Sequence, residues 1–118
     1  MMITVKTSDL TDVALNYVVA QIDGYEQKWL MKNISEIPAY SCDWALCGKL
    51  MDQHLRSMGC VVHLKNKPIY RAFARRKISD VDFCNLASGK DIKEAFLRAL
   101  VIVSIGYEVQ IPKSLQES

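Results

Sequence analysis

Five of the six cysteines and histidines in this chain lie close together, and these are the residue types best suited to nucleophilic or metal chemistry. Cys42, Cys47, His54, Cys60 and His63 fall within 22 residues. Structural zinc sites usually pair ligands two to four residues apart on tight knuckles, and this spacing fits no such arrangement. Cys47 instead shares an apolar helical stripe with its neighbours, which favours a small thiol buried in the core. We therefore expect no metal and no cofactor.

A cysteine–histidine catalytic pair is the second possibility. Cys47 and His54 are seven residues apart on one predicted helix, about 10 Å along its axis, which is too far for a direct hydrogen bond. Cys60 or Cys84 with His63 would have to be brought together from different elements, and nothing in the sequence singles out such a pair. We expect no catalytic residues and no enzymatic activity.

The strongest functional feature is a basic segment. Between Gln53 and Ser79 the chain holds seven basic residues and no acid, whereas the remainder holds eight bases and thirteen acids. The candidate binding residues are Lys65, Lys67, Tyr70, Arg71, Phe73, Arg75, Arg76 and Lys77. Such a surface suits a nucleic-acid backbone with unpaired bases or an acidic protein surface. The alternative is an edge strand whose charges only prevent aggregation.

The helices and strands that position these residues are predicted from hydrophobic periodicity and from capping and turn residues. The sequence predicts helices at 10–22, 44–58 and from Asp91 to Ser104, with Asp91 and Glu94 forming a reciprocal capping box. It predicts strands at 3–5, 25–31, 60–64, 69–76 and 107–111, a loop at 32–43 and a connector at 77–90. On strand 69–76, Arg71, Phe73 and Arg75 share one face.

The predicted class is α+β: a small mixed, mostly antiparallel sheet layered with about three helices. At 118 residues the chain fits a single α+β domain, 1–118. We expect Tyr17, Trp29 and Trp44 in the core and Tyr107 facing inward. Arg98, the one strong charge midway along an apolar helix, is expected to reach the surface beside Glu94, and becomes an anion-binding candidate if it lies in a pocket.

The ends of the chain and its cysteines bear on its compartment. The first residues lack the basic and apolar regions of a signal peptide, and the longest apolar run, Ala99 to Val103, is far short of a membrane span. Reduced thiols are the default in such a setting. We expect a soluble cytoplasmic protein without a membrane partner.

Several short blocks resemble a known family. They are Val5-Lys-Thr-Ser-Asp-Leu10, Ala14-Leu-Asn-Tyr-Val-Val-Ala20, Tyr40-Ser-Cys-Asp-Trp-Ala45 with Gly48, and an ending formed by the helix Ala95 to Ser104, Ile105-Gly106 and Glu108-Val-Gln-Ile-Pro112. Together they resemble the NinX-like proteins of lambdoid phages and prophages, a domain of unknown function, and Tyr70-Arg-Ala72 stands where that family commonly has Trp-x-Ala. Cys47-Gly48-Lys49 departs from its frequent Gly-Gly-Pro.

The resemblance implies a phage or prophage accessory protein acting in a bacterial cytoplasm, and it transfers no catalytic residues. Together with the basic segment it predicts a non-enzymatic protein that binds a host or phage macromolecule. A protein partner is the first expectation, for example a component of host defence or recombination. The alternative is sequence-nonspecific nucleic-acid binding through the basic hairpin at 65–77.

Overall fold

The α+β class predicted from the sequence is confirmed. A computed structural model describes residues 1–64 and 67–116. The helices and strands are, in order, β1 (Met2–Lys6), α1 (Asp12–Ile22), α2 (Gln27–Lys32), α3 (Trp44–His54), β2 (Leu55–Leu64), β3 (Lys67–Ile78), β4 (Val81–Gly89), α4 (Ile92–Ser104) and β5 (Glu108–Pro112). The described strands form two antiparallel sheets, β1-β5 and β2-β3-β4, rather than one mixed sheet.

The three-stranded sheet is a meander whose second connection is a tight turn. Ser79 and Asp80 join β3 to β4 with φ angles of 51° and 67°, and Ile78 pairs with Val81 across the turn. Two successive positive φ angles are the signature of a type I′ turn, whose twist matches that of the flanking strands. The turn therefore sets the register that places β4 beside β3.

Helix α4 is the centre of the core. Most of its side chains are buried, and it packs against β3 and β4 on one side and against α1 on the other. The Asp91 carboxylate accepts a hydrogen bond from the Glu94 amide at 2.8 Å, as predicted, but Glu94 returns to the Lys90 amide rather than to that of Asp91. Helix α4, with 13 residues, is the longest described helix. No helix in the described part of the chain is long and apolar enough to cross a membrane.

The irregular segment that precedes α3 is held against α1 and its C-cap residue Asp23 by two hydrogen bonds, from Tyr40 and Ser41. The Tyr40 hydroxyl donates to the Asp23 carboxylate at 2.7 Å, and the Ser41 amide donates to the side-chain oxygen of the buried Asn16 at 2.9 Å. Because buried polar groups are costly when unpaired, these bonds fix the path of a segment that has little regular structure.

Three predicted segments were wrong. Residues 27–32 form a helix rather than a strand, the helix predicted to reach residue 58 ends at His54, and the predicted connector contains β4. Leu55 and Met58 have helical spacing, but they pair with Ala74 and Ala72 of β3. Tertiary strand pairing thus overrides the local periodicity.

The aromatic residues only partly follow the prediction. Tyr17 is fully buried as expected, whereas Trp29 is 40% and Trp44 55% exposed. The Trp44 ring lies under the Lys93 ammonium, 4.2 Å from its centroid. Tyr107, predicted to face inward, is 68% exposed. Aromatic size alone predicted burial, but α2 and the start of α3 lie at the periphery of the core.

Candidate functional site

Alternation along β3 separates the basic segment into two sides. Ala72 and Ala74 are fully buried on the side where α4 packs against the strand. The odd-numbered residues point the opposite way, since successive side chains in a strand alternate between faces. We call this the outer face of the three-stranded sheet, and its exposed β3 residues are Arg71, Phe73, Arg75 and Lys77.

The structure does not bring together the whole predicted set. Tyr70 and Arg76 belong to the side of α4 and are half-buried, and Arg76 Nη1 donates to Ser104 Oγ at 2.8 Å. Lys67 is exposed at the start of β3. Lys65 lies outside the described residues.

Charge on the outer face is positive but partly balanced. Arg75 Nη2 lies 3.4 Å from Asp82 Oδ1, with both side chains about half exposed. Exposed ion pairs of this kind contribute roughly 0–1 kcal/mol to folding stability, so the main effect of the contact is to reduce the local positive potential. Arg71 and Lys77 form no ion pair within the described residues. Their charges remain available to a partner.

The outer face also has an apolar centre, which the sequence does not reveal because its pattern predicts a connector at 77–90, where the structure has β4. Phe73 is paired with Leu86 of β4, and the two side chains are 41% and 39% exposed. A shallow groove of about 300 Å³ is lined by Ser57, Met58, Gly59, Arg71, Phe73 and Leu86. Aromatic residues and arginine are enriched at protein interfaces relative to the rest of the surface.

The cysteines and histidines show no catalytic arrangement in the described part of the chain. Cys47 is fully buried, which confirms its predicted place in the core. Burial raises the pKa of its thiol to about 11, against the lowering effect of nearby Lys93, and keeps it protonated at neutral pH. Cys42, Cys60 and Cys84 are exposed. Within residues 1–60 and 67–116, no three His, Cys, Asp or Glu side chains converge as a metal site would require. The side chain of His63 lies outside the described part of the chain.

His54 has a structural position at the end of α3. Its Nδ1 lies 3.2 Å from the carbonyl oxygen of Arg75. Burial lowers the pKa of His54, as do the charges of Arg76 and Arg75, while the backbone contact acts in the opposite direction. The imidazole therefore links α3 to β3 in its neutral form.

Comparison with known proteins gives no match, either among protein-family models or among curated protein sequences. The chemistry of the outer face is therefore the basis for assigning a function.

Proposed function

We propose that this chain is a non-enzymatic accessory protein of a phage or prophage that binds a host or phage protein through the outer face. The observation that carries the proposal is the pairing of exposed Phe73 and Leu86 beside Arg71, on a sheet face opposite α4. The phage origin is supported by the resemblance to NinX-like proteins alone.

The composition of the outer face favours a protein partner. Interfaces combine an apolar centre with a polar rim, and arginine and aromatic residues are enriched in them. Phe73 and Leu86 supply the centre, while Arg71 and Lys77 supply a positive rim. A partner surface that is acidic around an apolar contact is the complement, and charge matching would speed its association. A component of host defence or recombination that carries such a surface is the partner class we propose.

Nucleic-acid binding is the second candidate, favoured by the position of Phe73 between Arg71 and Arg75 on one strand face. An aromatic ring flanked by guanidinium groups can stack on an unpaired base while the charges contact phosphates. It ranks second because Asp82 already engages Arg75. If Arg71, Arg75 and Lys77 each neutralised one phosphate, the logarithm of the affinity for single strands would fall with that of salt with a slope of about −2.

The two candidates separate in one experiment. Tagged protein is incubated with bacterial host lysate, with and without nuclease, and the captured proteins are identified by mass spectrometry. Retention of a discrete protein after nuclease treatment supports the proposal. Enrichment that disappears with nuclease supports the nucleic-acid candidate, and the salt slope then measures how many phosphates are contacted.

A further inference from the structure

We propose that a second site, a cleft that adjoins the outer face and shares Arg71 and Leu86 with it, binds a small organic anion with an apolar body. A cleft of about 880 Å³ lies between β4 and the ends of β1 and β5. Leu86, Ala87 and Ser88 all contribute to its wall. Because consecutive strand residues point to opposite faces, a cleft that touches all three runs along the edge of β4. Its volume falls within the range of small-molecule sites, about 300–1,000 Å³.

Three basic side chains reach this cleft, and two of them carry uncompensated charge. Lys6 and Arg71 line it, and neither forms an ion pair within the described residues. Glu108 also lines it and is the cross-strand partner of Lys6. Lys6 and Glu108 do not form an ion pair within the described residues. Glu108 therefore reduces the positive potential of the cleft but leaves the Lys6 ammonium free to contact a ligand. The cleft remains positive overall.

Arg98 supplies fixed hydrogen-bond donors rather than net charge. Its Nε donates to the Leu10 carbonyl at 2.8 Å and its Nη1 to the Ser88 carbonyl at 3.0 Å. Nη2 lies 3.2 Å from Oε1 of Glu94, whose side chain is 5% exposed while that of Arg98 is 15% exposed. A guanidinium has five N–H groups, so these contacts leave about two unassigned. Arg98 thus lies beside Glu94 but lines a cleft instead of extending fully to the surface, which is the condition under which the sequence made it an anion-binding candidate. Its guanidinium is held in place before any ligand arrives.

The other side chains of the cleft suit an apolar ligand body. Tyr107 presents a mostly exposed ring, and its hydroxyl accepts a hydrogen bond from Asn85 Nδ2 at 3.2 Å, which ties the ring to β4. Leu86 and Ile102 add aliphatic surface. An aryl or aliphatic carboxylate, or the corresponding phosphate ester, combines the anionic head and apolar body that these side chains match.

Binding is tested by titrating ¹⁵N-labelled protein with phenyl phosphate and, in a parallel arm, with benzoate, following amide chemical shifts. Saturable shifts at the cleft residues are expected, with tighter binding of one probe identifying a phosphate ester or a carboxylate as the natural head group. Benzyl alcohol, which lacks the charge, and inorganic phosphate, which lacks the body, should each bind at least about threefold more weakly, given the modest worth of one exposed charge contact. Equal binding of either control would overturn the assignment.

Charge variants give effects of opposite sign. Lys6→Met should weaken binding of the preferred probe by roughly threefold, and Glu108→Gln should strengthen it by a similar factor. Lys113→Met removes an exposed lysine that does not line the cleft and should leave affinity unchanged. No saturable shift with either probe, or equal responses to Lys6→Met and Lys113→Met, would refute the site. These variants leave Phe73 and Lys77 untouched, so failure here is separable from failure of the proposed protein-binding function.

Discussion

Two buried tyrosines show how the same side chain can differ in its contribution to stability. The Tyr40 hydroxyl donates to Asp23 at 2.7 Å, and burial, with Asp23 adding to it, raises the pKa of Tyr40 so that it remains a donor. The Tyr17 hydroxyl is buried, which raises its pKa against the lowering effect of the nearby Gln27 side chain, and no hydrogen bond of good geometry joins it to a described residue. A buried polar group without a partner lowers stability instead of raising it.

We predict that Tyr40→Phe lowers the free energy of unfolding by about 1 kcal/mol, the usual net worth of one hydrogen bond. Tyr17→Phe should leave that free energy unchanged or raise it, because only an unpaired hydroxyl is removed. Urea denaturation of both variants and the wild type measures the difference. Equal losses in the two variants would show that Tyr17 has a partner after all.

His54 predicts a pH dependence of stability. Its pKa in the folded protein lies below the ordinary value of 6.5, mainly because of burial. Below about pH 6.5 the unfolded chain therefore binds more protons at this position than the folded protein does, and stability falls as the pH decreases. His54→Gln should show a smaller loss of unfolding free energy between about pH 7 and pH 5 than the wild type. The same loss in both proteins would mean that His54 protonation does not matter to folding.

At the scale of the elements, the packing of α4 on the sheet depends on a close approach at Gly89. A Cβ atom at this position would lie 2.5 Å from the backbone nitrogen of Ala95. Backbone cannot move aside as a flexible side chain can, so a methyl group here must displace the beginning of α4 from β4.

Gly89→Ala is accordingly expected to lower the free energy of unfolding by about 1–3 kcal/mol. Gly59→Ala in β2 is the matched control, because nothing lies within 4 Å of its added methyl group. This control should change stability by less than about 1 kcal/mol, and in the favourable direction. Thermal or urea unfolding distinguishes them, and a neutral Gly89→Ala would show that β4 and α4 are packed less closely than described.

How far the sequence predicts the elements depends on how regular their burial is. Helix α4 was predictable from its capping pair, Asp91 and Glu94, and its long apolar stretch, and β3 from the alternation of exposed and buried residues between Arg71 and Arg75. Strand β4 could not be predicted from alternation. Its polar residue Asn85 lies on the side that packs against α4, and its apolar residue Leu86 lies on the exposed outer face, the opposite of the usual arrangement. Helix α2 has one buried residue, Leu30, and so offers no helical period to detect.

The site shows the same dependence on neighbours. The sequence places Arg71, Phe73 and Arg75 on one face, and the structure does so too. It cannot show that Leu86 stands beside Phe73 or that Asp82 engages Arg75, because both contacts come from β4. The cleft containing Arg98 requires the ends of β1 and β5 to be placed near β4, which no local pattern reveals.

For the whole molecule, the basic segment does not become one uniformly basic surface. Arg76 is directed to Ser104 near the end of α4, and Asp82 brings negative charge to the outer face. Binding there should therefore depend on apolar contact as well as charge, and it should weaken only moderately with added salt, unlike the steep dependence of a phosphate-binding surface.

The outer face can be removed without touching the core or the cleft. Phe73→Thr, Arg75→Thr and Lys77→Thr together remove its aromatic and two of its basic residues while retaining good strand formers. A matched control lies on α2, where Lys28, Trp29 and Lys32 are also one exposed aromatic and two exposed bases. Their replacement by glutamine preserves helix propensity.

Quantitative capture from nuclease-treated host lysate with the wild type, the outer-face triple variant and the α2 triple variant is the most direct test, once urea midpoints show that all three are folded. We predict a discrete protein that is enriched equally by the wild type and the α2 variant, and at least about tenfold less by the outer-face variant, as loss of an aromatic hot spot implies. Equal enrichment by all three baits, or a loss confined to the α2 variant, would contradict the assignment of the outer face as the binding surface.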